Sequence, residues 1–469
     1  MSKKMKFRHL GVLVLVFALI AAACGDDDTA DTTTAATTAD TTADTTADTT
    51  ADTTADTTMA PMAFPPEAGA WGGVLIAAGA PVEIRTLQAI SESVAFLGVD
   101  QNRGTELALE DFGDVLGHPV NLGTPEDDLC LGEGGASGAT AIAAQEGVLG
   151  VIGTTCSGAA FPAIPIFHAA GIVLISGSNT NATLTSDFQG NAGENWMNNY
   201  LRTAHNDLIQ GAAAAIFAYD NLGLRKMGTI HDGDPYTSGL AGSFGLTFTE
   251  LGGEIVVATS VAKEDTNMVP VLTEIAAGEP DGIYFPIFQP AGDFIVQQVG
   301  GISGLEDVQM YGADGLITPD HFSLPETEGV YYSGPDLGFD ANAGFTGETY
   351  TNLVARYEAA YGELPTAAFH AHTYDATMML LFAIESVAVE GPDGELWVDR
   401  LALRDFLYNI SDFAGVTGTL TCDEFGDCGG NVVSVILNLD SDDPQAGIGN
   451  VVFRAGKGAG GEVVILPLG

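Results

Sequence analysis

Short apolar runs alternate with helix-like amphipathic stretches along the chain from about Trp71 onward. A strand-like run covers residues 74–76, helical patterns cover 104–112 and 134–146, and a short strand pattern at 120–122 lies between the helices. Strands that alternate with helices in this way are typical of βαβ units. The pattern therefore predicts a mostly parallel sheet with helices on both of its faces.

The same alternation starts again near residue 207 and continues to about residue 311, which predicts a second α/β module after the first. The last third of the chain has too few elements for an independent core, so we assign its elements to the two modules. The helices and strands of the second series are predicted at 207–219, 227–230, 238–251, 254–257, 268–277, 282–285, 291–299 and 308–311. The later elements are predicted as helices at 367–389 and 400–408 and hairpin-like strands within 418–438 and 451–464.

The stretch 151–185 carries the candidate binding chemistry. A buried strand that ends at Gly153 leads into the turn 154–158, and a strand at 172–175 leads into the turn 176–181; both turns are rich in Ser, Thr and Asn. Open parallel sheets hold their ligands at the carboxyl ends of the strands, and helix N-termini attract anions. The pattern favours half of a binding site, while two ordinary turns with good N-cap residues explain the same composition.

The N-terminal segment predicts export and a lipid anchor. Residues 1–23 combine a basic start, an apolar run from Leu10 to Ile20 and three alanines directly before Cys24, which resembles a bacterial lipoprotein signal. The apolar run is shorter than a membrane-spanning helix needs. Cleavage would leave Cys24 as the lipid-bearing first residue, and the alternative is a plain secretory signal. We expect the protein on the outer face of the cytoplasmic membrane.

Residues 24–70 predict a disordered tether between the anchor and the folded body. A Thr-Thr-Ala-Asp repeat runs through Thr58, and a Pro-bearing stretch follows it. This segment has few large apolar side chains and a regular negative charge, so it cannot bury enough surface to offset its conformational entropy.

The charge balance excludes some partners. The chain has 15 Lys and Arg against 62 Asp and Glu, for a formal net charge of −47. Such an acidic protein repels nucleic acid and anionic membrane surfaces, so we expect membrane contact through the lipid anchor alone. The acidity also favours a saline habitat, where salt screens the repulsion between like charges.

The cysteines predict two disulfides in an oxidising compartment. Four of the five cysteines remain once Cys24 is set aside, and four cysteines allow three pairings. Cys422 and Cys428 flank a short turn between strand patterns, so we expect them to pair, which leaves Cys130 for Cys156. Zinc is the alternative, but neither pair has the tight spacing typical of zinc ligands.

The order of several motifs gives the chain a family resemblance. From residue 72 to about residue 440 the chain resembles the leucine/isoleucine/valine-binding protein family of ABC importers. The motifs that carry this resemblance are Asp127-Asp128-Leu129-Cys130, Val151-Ile152-Gly153, Cys156-Ser157, Gly171-Ile172-Val173-Leu174-Ile175-Ser176, Asn179-Thr180-Asn181, Leu184-Thr185, Leu201-Arg202-Thr203, Ile230-His231-Asp232 with Tyr236 and Gly239, Asp281-Gly282-Ile283-Tyr284 and Gly312-Ala313-Asp314-Gly315.

The resemblance implies a fold class and a domain organisation. The fold would be α/β, with two doubly wound, mostly parallel-sheet lobes joined by a hinge of three crossings, as in a type I periplasmic binding protein. Lobe 1 would comprise residues 71–203 and about 336–412, and lobe 2 would comprise 204–335 and about 413–469.

The resemblance also implies the residues that hold a ligand. Ser157, its neighbouring backbone N–H groups and Thr180 would bind an α-carboxylate, and Asp314 would pair with the ligand ammonium from the second lobe. Tyr236 and Phe288 would close over the ligand. The expected ligand-binding residues are Ser157, Gly158, Ser178, Asn179, Thr180, Tyr236, Phe288 and Asp314.

Departures from the family pattern leave the ligand side chain open. Ser178 and Asn179 stand in a turn where the family commonly has Gly and Ala, and Phe288-Gln289 replaces an aromatic pair. Leu97 also lies where an aromatic residue is common. An amide, a polar amino acid or a short peptide therefore fits as well as an aliphatic amino acid.

We expect a monomeric binding protein that delivers its ligand to an ABC permease and its ATPase, without a cofactor or a metal. A surface ligand-sensing receptor on the same fold is the alternative. Catalysis by Ser157, His231 and Asp232 is disfavoured because the nucleophile-elbow motif is missing. His370 and His372 are poor candidates for a metal site because residues two apart on a helix point in different directions.

Overall fold

The structure is a computed structural model that describes residues 63–339 and 341–468. The predicted signal segment, the candidate lipid site Cys24 and most of the predicted tether lie outside the described residues. Within the described ranges, no helix is both long enough and apolar enough to cross a membrane.

The strands form two large sheets and two small ones. They are β1 Gly73–Ile76, β2 Val82–Gln88, β3 Val120–Asn121, β4 Glu126–Asp127, β5 Val148–Gly153, β6 Val173–Ser176, β7 Tyr200–Arg202, β8 Lys226–His231, β9 Glu254–Ser260, β10 Gly282–Tyr284, β11 Gln309–Ala313, β12 Tyr331–Pro335, β13 Val389–Glu390, β14 Leu396–Asp399, β15 Phe413–Gly415, β16 Gly418–Leu420, β17 Val432–Leu437, β18 Val451–Lys457 and β19 Val463–Leu466.

Helices separate most of these strands, as the alternating pattern predicts. They are α1 Ala95–Phe112, α2 Gly132–Ala143, α3 Ser157–Ala169, α4 Asp207–Ile216, α5 Pro235–Glu250, α6 Val269–Ala276, α7 Ala291–Val299, α8 Pro319–Phe322, α9 Tyr350–Tyr361, α10 His370–Val387, α11 Arg400–Tyr408 and α12 Pro444–Gly449.

The first large sheet has the order β3-β2-β5-β6-β7, with β4 also paired to β2, and its strands are parallel. Its strands are apolar on both faces. Ile152 packs in the core that contains α1 and α10, whereas the next residue toward the N-terminus, Val151, packs in the core that contains α2 and α3. This sheet with its helices is named the first lobe.

The second large sheet has the order β19-β18-β17-β12-β11-β10-β8-β9. The strands from β8 to β12 are parallel, and β17, β18 and β19 extend the sheet in antiparallel pairs. This sheet with its helices is named the second lobe. The prediction of two mostly parallel α/β modules is confirmed.

The first predicted strand is not part of the first large sheet. The segment at 74–76 is β1, which pairs antiparallel with β14 in a small sheet. The strand that begins the large sheet is β2, which the hydrophobic pattern missed because Glu83 and Arg85 interrupt it. These two side chains neutralise each other in an ion pair of 2.7 Å.

Three segments connect the two lobes. The first follows β7, the second follows β12, and the third precedes β17. The sequence predicted that the second lobe resumes at about residue 413. Phe413, Val416 and Leu420 instead pack in the core of the first lobe. We propose that the third crossing lies at residues 429–431 and that residues 413–428 belong to the first lobe.

A cleft between the two lobes

A narrow cleft, partly open to solvent, lies where both lobes meet, and the space that it encloses is about 20 Å³. This is room for about one water molecule, so the two walls of the cleft lie close together. The residues that line it are Leu97, Gln101, Thr155, Cys156, Ser157, Ser178, Tyr236, Phe288, Asp314, Gly315 and Phe369.

The first wall of the cleft is the turn between β5 and α3. Ser157 is the first residue of α3, and its hydroxyl accepts a hydrogen bond from the backbone N–H of Asn181 at 3.3 Å. The Asp128 carboxylate supports this turn from behind, because it accepts hydrogen bonds from the N–H groups of Thr155 and Cys130, both at 2.7 Å. Burial raises the pKa of Asp128 to about 7, although these backbone hydrogen bonds oppose the shift.

Two disulfides are present in the structure, and they have the pairing that we expected. Cys130 is bonded to Cys156, and Cys422 is bonded to Cys428. The first bond joins the loop after β4 to the cleft wall. Among the described residues, no cluster of three or more His, Cys, Asp or Glu side chains could hold a metal ion.

The turn after β6 supplies Ser178 to the cleft but keeps Asn179 away from it. The Ser178 hydroxyl donates to the Thr155 carbonyl at 2.8 Å. The Asn179 amide donates to the Thr154 carbonyl at 2.9 Å, and its oxygen accepts from Tyr200 at 3.3 Å. Asn179 was expected to contact the ligand, but its fully buried side chain binds the two turns to each other instead.

Two further expected residues lie beside the cleft and do not line it. The Thr180 carbonyl accepts from the backbone N–H of Asp207 at 2.9 Å, and its hydroxyl lies beside the Asp207 carboxylate. Gly158 faces the second lobe, where a Cβ would lie only 2.9 Å from Asp234 Oδ2 and 3.1 Å from Pro235 Cδ. The absence of a side chain at Gly158 therefore permits a close approach of the lobes.

Asp314 lies at the end of β11 and faces the first wall from the second lobe. Its Oδ1 atom accepts hydrogen bonds from Gln210 Nε2 at 2.5 Å and from the Tyr236 hydroxyl at 3.0 Å. Burial raises the pKa of Asp314 to about 6, and these two hydrogen bonds oppose that shift. The bonding partners of this carboxylate are thus an amide and a phenol, neither of which carries a positive charge.

A second buried acid lies close to Asp314. Asp207 begins α4, and burial raises its pKa to about 8, with the charge of Asp314 adding to the effect. Gln210, one turn further along α4, also contacts His205 through its side-chain oxygen at 2.5 Å. Asp207 and Gln210 were not among the residues expected from the sequence, because their roles depend on contacts between distant parts of the chain.

The rest of the cleft is mainly apolar. Tyr236 and Phe288 contact each other with ring centroids 5.2 Å apart, and Phe369 stacks against His205 at 6.2 Å. Leu97 completes this part of the wall. The amide of Gln101, which also lines the cleft, has protein neighbours on both sides: its nitrogen donates to the Leu97 carbonyl at 3.2 Å, and its oxygen lies 3.0 Å from the Ser178 hydroxyl.

Gln289 was considered as a determinant of the ligand side chain, but it does not line the cleft. Its amide donates to Asp293 at 2.9 Å and accepts from Thr318 at 2.9 Å.

Asp232, which was considered with Ser157 and His231 as a catalytic arrangement, has other partners in the structure. Asp232 accepts hydrogen bonds from Thr237 and from the N–H of Asp234 within its own loop.

The two walls offer opposite electrostatic properties. The first wall has a hydroxyl and the N-terminus of α3, which attract negative charge, and the second has a buried carboxylate, which attracts positive charge. A cleft of this kind between two α/β lobes joined by three crossings defines a periplasmic binding protein of type I.

The chain belongs to a known family of such proteins. A family model described as "Periplasmic binding protein" matches residues 81–431. Proteins of this family bind small molecules outside the cytoplasm and are not enzymes.

Named relatives agree with this assignment. The Leu/Ile/Val-binding protein homolog 1 of Brucella suis is 28% identical over 364 residues, which is 76% of this chain and 88% of that protein. The leucine binding protein LivK of Thermotoga maritima is 25% identical with a TM-score of 0.66, over 82% of this chain and 98% of that one. LivJ of Streptococcus pneumoniae, solved in complex with isoleucine, has the same fold with a TM-score of 0.64, at 22% identity over 82% of this chain and 100% of that one.

Proposed function

We propose that this protein is the extracytoplasmic substrate-binding component of an ABC importer, and that it captures an amino acid or a similar small zwitterion. The observation that carries the proposal is the position of Ser157, at the N-terminus of α3, on the opposite side of one cleft from Asp314. A free amino acid carries a carboxylate and an ammonium on one carbon atom, and these two walls match its two charges.

The ligand carboxylate would lie against the first wall. The Ser157 hydroxyl and the backbone N–H groups of Ser157 and Gly158, at the N-terminus of α3, would donate to it, as helix N-termini do for anions. The ligand ammonium would pair with Asp314, whose bonds to Gln210 and Tyr236 hold it in place. A charged ligand group would then offset the cost of an ionised carboxylate in a buried site.

The ligand side chain would be small and apolar. The part of the cleft away from the charged groups is formed by Leu97, Tyr236, Phe288 and Phe369. The amides of Asn179 and Gln289, which left a polar side chain open, are bonded to other protein groups. The names of the relatives, which include leucine and isoleucine/valine binding, support the same choice.

Ligand binding would favour the closed arrangement of the lobes, since contacts on both walls form only when the lobes meet. The closed monomer would deliver the ligand to a permease and its ATPase. A lipid on Cys24 and the tether at 24–70 would hold the protein at the outer face of the cytoplasmic membrane.

A thermal-shift panel tests the proposed ligand class. L-leucine, L-isoleucine and L-valine should raise the unfolding midpoint, because a ligand at 100 times its Kd stabilises the native state by about 2.7 kcal/mol. The matched controls are 4-methylpentanoate, which lacks the ammonium group, and 3-methylbutylamine, which lacks the carboxylate. Equal shifts with the amino acids and both analogues, or no shift with any apolar amino acid, would contradict the proposal.

A further inference from the structure

The N-terminal turn of α5, in the second lobe, lies directly against the first lobe. Asn181 Nδ2 of the first lobe donates a hydrogen bond to the Pro235 carbonyl at 2.6 Å. Gly158 of the first lobe lies against Asp234 and Pro235, at a separation that leaves no room for a Cβ. The same turn carries Tyr236, which lines the cleft, so these contacts join the lobes at the edge of the binding site.

Lys263, in the loop after β9, connects this turn to the first lobe a second time. Its Nζ atom lies 2.9 Å from Asp234 Oδ2 in its own lobe and 2.9 Å from the Cys130 carbonyl oxygen in the first lobe. The ammonium also lies 5.5 Å from the centre of the Phe288 ring, which lines the cleft. One cation therefore contacts both lobes and a cleft residue.

The partner of Lys263 in the first lobe is firmly held. Cys130 is bonded to Cys156, which lines the cleft, and the Cys130 N–H donates to the buried Asp128 carboxylate at 2.7 Å. Asp234 is held as well, because its other oxygen caps α5 by accepting from the Tyr236 N–H at 2.9 Å. Both groups that accept from the Lys263 ammonium are therefore held in place, so the entropy lost when these bonds form comes mainly from the lysine side chain.

The charge of the chain makes a lysine at this point unusual. Acidic residues outnumber basic ones by 62 to 15, and Lys226, Lys263 and Lys457 are the lysines after the first eight residues. The Lys263 side chain is 25% exposed and the Asp234 side chain is 3% exposed. A partly buried pair of this kind is screened less than a surface ion pair.

We propose that Lys263 is an interlobe latch, a positioning residue that stabilises the closed arrangement by binding Asp234 and the Cys130 carbonyl at the same time. This inference rests on the proposed function, in which closure retains the ligand. Lys263 is not one of the residues that line the cleft. It acts through α5 and through the disulfide loop, which is the loop after β4 that carries Cys130.

The dissociation rate of the ligand tests whether Lys263 acts as a latch. In stopped-flow fluorescence with L-leucine as the probe, Lys263→Met should raise the dissociation rate about tenfold, with a much smaller change in the association rate, because a charge-assisted hydrogen bond of the closed state is lost. Lys263→Arg should recover most of the loss. Lys226→Met is the matched control, since it removes the same charge from the N-terminal end of β8, and it should leave both rates unchanged.

A second variant tests the same contact without removing a charge. Gly158→Ala should also accelerate dissociation, because its Cβ would displace Asp234 Oδ2, the atom that Lys263 binds. The combined Lys263→Met/Gly158→Ala variant should lose less affinity than the sum of the single losses, since both act on one contact. Additive losses would contradict the latch.

Hydrogen–deuterium exchange separates a failure of the latch from a failure of the proposed ligand class. In the protein without added amino acid, Lys263→Met should increase exchange at backbone amides of residues 130–135 in the first lobe as well as 234–238 in the second. If wild type fails to bind L-leucine but exchange rises on both sides, the ligand class is wrong and the latch stands. Exchange equal to wild type in the first lobe, or dissociation equal to wild type, would overturn the latch.

Discussion

Asp314 is the residue on which the proposed ligand chemistry depends most. Its carboxylate is buried, and Gln210 and Tyr236 donate hydrogen bonds to it without bringing a positive charge. The pKa of this carboxyl is raised above that of an unfolded chain, so its ionisation costs folding free energy as the pH rises from about 4 to about 6. An ammonium ligand would offset this cost.

The raised pKa predicts a pH dependence of binding. Only the ionised Asp314 attracts an ammonium, so the affinity for L-leucine should fall as the pH drops below about 6, by roughly tenfold per pH unit. Burial raises the pKa of neighbouring Asp207 to about 8, so this group is protonated near pH 6 and does not account for a midpoint there. Calorimetric titrations from roughly pH 5 to pH 7 measure the effect; a constant affinity across that range would show that Asp314 does not carry the ligand charge.

At the scale of elements, Arg202 joins the binding turns to the hinge. It lies at the end of β7 and pairs with Asp427 at 2.5 Å, and neither side chain is exposed to solvent. The same guanidinium donates to the carbonyls of Asn179 and Asn181 and to the Thr185 hydroxyl. One side chain therefore fixes the turn after β6 and the segment that leads into the third crossing.

Loss of this arginine should destabilise the whole chain. Arg202→Met leaves Asp427 buried without its cation, which should lower the free energy of unfolding by about 3–5 kcal/mol in urea titrations. Arg225→Met is the control, because Arg225 is exposed and packs on the Tyr219 ring, and its loss should cost about 1 kcal/mol or less. If Arg202→Met cost no more than Arg225→Met, the pair would not hold the hinge.

Several elements could be predicted from the sequence because their apolar residues recur with a clear period. The helix predicted at 291–299 is α7, and the helix predicted at 400–408 is α11. The N-terminal half of α1 was missed, since the pattern began at residue 104 and the helix begins at Ala95. That half contains buried Asp100 and Gln101, whose polar groups are hydrogen-bonded to distant residues. A local sequence pattern does not indicate that such polar residues are buried.

The candidate site was predicted in part. The resemblance to the family brought together Ser157, Ser178 and Asp314, which line one cleft in the structure. It did not reveal that Asn179 bonds the two turns to each other, nor that Gly158 faces the other lobe. Residue types limit the hydrogen bonds that a side chain can make, but its actual partners depend on how the lobes pack.

In the molecule as a whole, two lobes of an acidic chain meet at a cleft, and we propose that this cleft holds a zwitterion. The lobes contact each other through α5, the disulfide loop and the three crossings, and the cleft lies between these contacts. In the proposed function, Asp314 and the Ser157 turn bind opposite charges of one small ligand. Affinity should therefore be lost when the negative charge of Asp314 alone is removed.

Calorimetric titration of L-leucine into wild type and Asp314→Asn tests whether Asp314 pairs with the ligand ammonium. The asparagine keeps an oxygen that can accept from Gln210 and Tyr236, so the unfolding midpoint of the ligand-free variant should equal or exceed that of wild type. We expect one L-leucine to bind to wild type and Asp314→Asn to weaken this binding by about 100-fold, because a buried charge partner is lost. Binding of L-leucine to Asp314→Asn with the affinity of wild type would contradict the pairing of Asp314 with the ligand ammonium.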